Sequence, residues 1–157
     1  MKKYQIVSFA TIFLAIGVIV GGYLFSRSIP RSFISVHRCE GKCFNQNELV
    51  GLLASVGIQK IGSNLPKVIF ETDKTLVFDI YPYPPEKIHY VVVPKKDIKD
   101  ESHLTDEDKE YLVDAYAVIG RMVRDNNYRK YKIITNGPGY QKATYLHFHL
   151  VVDRNEK

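Results

Sequence analysis

Cysteine is scarce in this 157-residue chain, and neither an internal repeat nor a low-complexity tract is present. Without a repeat, solenoid and array architectures drop out. The formal charge is only +5, and +3 once Lys2 and Lys3 are set aside with the N-terminal segment. An excess so mild, interspersed with acids, excludes the basic stripe of a nucleic-acid-binding surface, and no nucleic-acid partner is expected. It suits a phosphate-bearing small ligand or an anionic membrane surface instead. Charge is missing altogether between Tyr4 and Ser26, where Ile, Val, Phe, Leu, Ala and Gly dominate. As a helix that run spans roughly 33 Å, enough to cross a bilayer. The hydrophobic part of a cleaved signal peptide is shorter, ~7–15 residues, and ends at a small-x-small site. Gly21-Gly22-Tyr23-Leu24-Phe25 offers no Ala-x-Ala. A domain of this size cannot surround such a helix, so residues 1–26 are read as an uncleaved single-pass anchor with the membrane as partner. Lys2, Lys3 and the terminal amine precede it, and Arg27, Arg31, Arg38 and Lys42 follow. Flanks so nearly balanced leave the side of the soluble domain open.

Cys39 and Cys43, at C-x3-C spacing, are the only cysteines. Half of a zinc site, a small disulfide loop, and two free thiols in a linker all remain open. Residues 27–44, with Pro30, several basic residues and His37, read as a juxtamembrane linker, and residues 45–157 as one domain with a modest core. His37 and His103 read as solvated bystanders.

Within that domain a short helix is expected from Gln46 to Val56, with Leu49, Val50, Leu52, Leu53 and Val56 as its apolar stripe and Gly57 as its stop. Lys67–Glu71 and Thr75–Ile80 are strand candidates separated by a hairpin-sized turn, and Ile88–Val93 is a third. Tyr81–Pro85 reads either as a polyproline-like recognition segment or as a rigid loop beside a pocket. Thr105-Asp106-Glu107-Asp108 is a capping-box start for a long helix ending near Asn126-Asn127. Lys132–Thr135 and Tyr145–Val152 complete five strands. Short links between them argue for an antiparallel α+β sheet with one long and one short helix.

The last strand carries the chemistry. In Tyr145-Leu146-His147-Phe148-His149-Leu150-Val151 strict alternation puts Tyr145, His147 and His149 on one face and Leu146, Phe148 and Leu150 on the other. Upstream, Asn136-Gly137-Pro138-Gly139 is a turn that can bring backbone N–H groups and an amide over the histidines. An unperturbed imidazole, with a pKa of about 6.5, is largely neutral at pH 7 and nucleophilic without a strong base. Beside anion-binding groups it is equipped for attack on phosphorus.

From Leu65 to Asp153 the sequence resembles the histidine triad (HIT) family of nucleotide hydrolases and transferases. The likeness rests on Leu65–Glu71, Phe78-Asp79-Ile80-Tyr81-Pro82, Ile88–Lys96, Asn136-Gly137 and the histidine strand, in that order. It implies a HIT-like five-stranded sheet and a homodimer. It makes His147 the nucleophile that attacks the α-phosphorus of a nucleotide and forms a nucleotidyl-histidine, with His149 and His89 orienting it. Asp79 is then the ribose-binding carboxylate, Asn136 and Gln141 hold the phosphate or leaving group, and Lys142 can neutralise phosphate charge. Neither metal nor cofactor is expected. Tyr145 replaces the first histidine of the family signature, and Asp97 stands where some members carry another histidine, so the places where zinc-bearing members put histidines are empty of them. The implied activity is hydrolysis or transfer on a nucleoside phosphoramidate, a dinucleoside polyphosphate or a similar conjugate. A membrane-tethered nucleotide-binding module without turnover is the alternative, and a purely structural membrane adaptor a third.

Overall fold

The computed structural model describes residues 3–34, 43–80 and 87–153. Cys39, His37, the Tyr81–Pro85 segment and the chain end lie outside them. Helix α1, Lys3–Phe25, is long and apolar enough to span a membrane, and none of its apolar window is buried against the protein. Helix α2 is Gln46–Lys60 and helix α3 Lys109–Asp125. Strands β1 (Val68–Glu71), β2 (Thr75–Asp79), β3 (Lys87–Pro94), β4 (Tyr131–Thr135) and β5 (Phe148–Asp153) form one antiparallel sheet in the order β1-β2-β3-β5-β4. This is the expected α+β architecture.

Helix α3 covers one face of the sheet. Val118 and Ile119 pack there with Val77, Val92, Leu146 and Leu150, all buried. The Thr105 amide donates to Asp108 Oδ2 at 2.8 Å and closes the expected capping box, although a 3-10 turn, Asp106–Asp108, precedes the α-helix proper. On the opposite face a smaller cluster joins Ile58 of α2 to Leu76, Val93 and Tyr145.

Helix α2 departs from expectation twice. It does not stop at Gly57 but runs on to Lys60, because burying Ile58 outweighs the roughly 1 kcal/mol that a helical glycine costs. Its buried residues are Gly51, Ser55 and Ile58, whereas Val50 and Leu53 of the anticipated stripe are exposed. The histidine strand also begins later than expected, since ladder pairing starts at Phe148.

Cys43 is disulfide-bonded, which among the three readings of the cysteines favours the disulfide. The segment after α1, expected as a linker, is bonded to the domain. Ser28 Oγ lies 2.9 Å from Ser55 Oγ, the Ile29 amide donates to Asp97, and the Asn45 amide donates to Phe33 O.

Candidate active site

Three histidines meet on the α2 side of the sheet. Val91 of β3 pairs with His149 of β5, so His89, two residues back along β3, lies diagonal to His149 on the same face. Their ring centroids are 4.9 Å apart, and His89 Nε2 is 2.8 Å from His149 Nδ1. His147 stands edge-on to His149 at 4.8 Å.

The hydrogen bonds assign the protons. His147 Nδ1 is 2.7 Å from the Tyr145 carbonyl, which can only accept. Nδ1 therefore carries the proton, and in the neutral ring Nε2 is left with its lone pair. Asn136 Nδ2 donates to His149 Nε2 at 3.2 Å, so His149 holds its proton on Nδ1 and passes a hydrogen bond to His89 Nε2. Burial, followed by the neighbouring His147 and His89, pushes the His149 pKa down to about 4. Burial also lowers that of His89. His149 thus sits neutral at pH 7 beside His147 and places no competing positive charge there.

Beneath the histidines lies an apolar cavity of about 400 Å³. Leu53, Ala54 and Leu65 wall one side; Phe78, Ile80 and Val91 wall the sheet side. Tyr145, His147 and His149 complete it. That volume and lining are those of a small-molecule pocket, with a few polar groups at one edge of an apolar slot.

Of the residues expected here, His89, His147, His149 and Asn136 are brought together. Asp79 is exposed at the end of β2 and does not line the cavity, although its neighbours Phe78 and Ile80 do. It pairs with Tyr90, whose ring packs on the α3 side. Gln141 is buried beneath the turn, its amide nitrogen and oxygen both without a hydrogen-bond partner among the described residues, and it does not line the cavity. Lys142 is exposed and likewise outside the lining. Sequence reasoning missed Phe78, Ile80 and the α2 wall, although the alternation Leu76, Phe78, Ile80 marks one face. The Tyr145 carbonyl was missed for a different reason: a backbone atom leaves no residue-type signal.

Tyr145 itself is buried, and its hydroxyl donates toward the carbonyls of Pro94 (2.8 Å) and Lys96 (3.0 Å). Burial raises its pKa well above the usual phenol value, so it remains a donor.

Residues 58–156 match the family model described as "Scavenger mRNA decapping enzyme C-term binding". Among solved structures, the chain is similar to a HIT family hydrolase from Legionella pneumophila Philadelphia 1 (26% identity, TM-score 0.51, 59% of this chain and 86% of that one). It is also similar to a HIT family hydrolase from Clostridium thermocellum (25% identity, TM-score 0.51, 60% and 84%). A histidine triad protein from Clostridium difficile shares the fold at 23% identity, with a TM-score of 0.51 over 60% and 84% of the two chains.

Proposed function

Because the chain belongs to the family described as "Scavenger mRNA decapping enzyme C-term binding" and has a HIT-like fold, we propose that it is a membrane-anchored hydrolase of nucleotide conjugates. His147 Nε2 attacks the α-phosphorus, the leaving group departs, and water releases the nucleoside monophosphate from the nucleotidyl-histidine. One observation carries this reading: the Tyr145 carbonyl fixes the His147 tautomer that leaves Nε2 nucleophilic, at the edge of an apolar cavity. The HIT family hydrolases of similar structure favour hydrolysis. The Asn136 amide and the His149–His89 pair are the polar groups nearest the reacting phosphate, and fixed dipoles there stabilise developing charge without metal. Base and sugar occupy the slot between α2 and Phe78–Ile80.

The rival, a binding module without turnover, draws on Tyr145 in place of a histidine. That substitution changes the side chain but keeps the carbonyl that orients His147, which favours the enzyme. Substrates in view are nucleoside phosphoramidates and dinucleoside polyphosphates. Incubation of the full chain in detergent micelles with adenosine 5′-phosphoramidate and a dinucleoside tetraphosphate should release nucleoside monophosphate. Binding of both without release would make it the module.

Helix α1 supplies the membrane anchor. The Cys43 disulfide favours a domain on the oxidising side. A homodimer is supported by β4, an edge strand exposed throughout, which presents Tyr131, Ile133 and Ile134 to solvent.

A further inference from the structure

Six residues beyond α1, Arg31 enters the domain with its side chain fully buried. Its Nη1 and Nη2 reach Asp97 Oδ2 and Oδ1 at 2.6 Å each, a two-bond clamp on a carboxylate whose side chain is 1% exposed. The Ile29 amide adds a third bond to Asp97 at 2.9 Å. A buried pair of this kind gives little net stability over an apolar pair, so its geometry is the better guide to its role. That geometry points at one peptide. Arg31 Nη2 also donates to the Thr144 carbonyl at 2.7 Å, and Nε to Thr144 Oγ1 at 3.3 Å. From the other side the Thr144 amide donates to Asn47 O, and α2 comes so close at Gly51 that a Cβ there would lie 2.7 Å from Thr144 O. Thr144 is joined to Tyr145, whose carbonyl accepts the His147 Nδ1 proton.

We propose that Arg31 is a positioning residue for His147: its clamp on Asp97 and the Thr144 carbonyl fixes the Thr144–Tyr145 peptide, and through the Tyr145 backbone the adjoining Tyr145 carbonyl that keeps His147 in the Nδ1–H tautomer. The chemical step then depends on the membrane-proximal segment, which supplies a buried part of the site's frame. This rests on His147 being the nucleophile. Arg31 touches neither the cavity nor the histidines, so its effect passes through the backbone.

Two full-length variants in detergent micelles test it. Arg31→Lys keeps a cation opposite Asp97 but cannot bond both the carboxylate and the Thr144 carbonyl in the same fork geometry. Arg31→Met combined with Asp97→Leu replaces the pair by apolar side chains, a change that buried pairs often tolerate. Thermal melting identifies which variants fold. Expected in either folded variant is a fall in kcat on adenosine 5′-phosphoramidate of about tenfold or more with KM within about threefold, the pattern of a lost transition-state arrangement. Nitrogen-15 shifts of the His147 ring should move from the Nδ1–H tautomer toward a mixture. Wild-type kcat with unmoved ring signals in a folded variant would overturn the proposal, as would a loss confined to KM. If the wild type releases no monophosphate, the hydrolase reading fails instead, and the ring signals still decide the role of Arg31.

Discussion

At the scale of residues, each of the three histidines has a separate task, fixed by what its nitrogens touch. Only His147 has a backbone carbonyl on Nδ1, and only it is left with a free Nε2 lone pair. His147→Ala should abolish monophosphate release while nucleotide affinity, measured by calorimetry, stays within about threefold, because the cavity supplies ground-state binding and the nucleophile acts on the chemical step. His149 makes a statement about pH. Its folded pKa of about 4 lies below the ~6.5 of an unfolded histidine. Between those values the unfolded chain holds the extra proton, so stability rises with pH across the window and is level above it. The urea midpoint should therefore drop between pH 7 and pH 5, above the range in which carboxylates titrate. In His149→Gln the drop should be smaller; an unchanged drop would show that His149 contributes nothing to it.

At the scale of elements, α2 matters most and was least legible. Its hydrophobic residues suggested a core-facing stripe, yet two of its three buried residues are small: Gly51 against Thr144 and Ser55 against Ser28, with Ile58 the one large apolar residue buried. Close approach of two backbones demands small residues, and the larger apolar ones, Leu53 among them, are left to wall the cavity. Gly51→Ala should cost about 1–3 kcal/mol, since overpacking against backbone cannot be relieved by a rotamer change. It should also lower kcat by displacing the Thr144 peptide. Chemical denaturation and steady-state rates check both; an unaltered midpoint would mean that α2 yields freely. The sheet was far more legible, because period-two alternation is written along β2, β3 and β5, and α3 announced itself through Thr105 and Asp108.

At the scale of the whole molecule, an apolar helix whose span is not buried leads into a domain bonded to the segment just after it. The full chain should stay with membranes after carbonate extraction, and a chain lacking Lys3–Phe25 should be released; release of the full chain would remove the anchor from the functional reading. From the amino-acid order alone came the apolar span, the antiparallel α+β class, and His147 and His149 with the Asn136 turn beside them, while the resemblance to the HIT family added His89. All of these depend on local periodicity or on residue types that carry their chemistry with them. Tertiary structure decided the rest: that Phe78 and Ile80 line the cavity, that Gln141 is buried with its amide unpaired, that the Tyr145 carbonyl meets His147, and that Arg31 reaches Thr144. Strand register and backbone contacts set those outcomes. They arise from pairings between segments far apart in the chain, which no single stretch of sequence encodes.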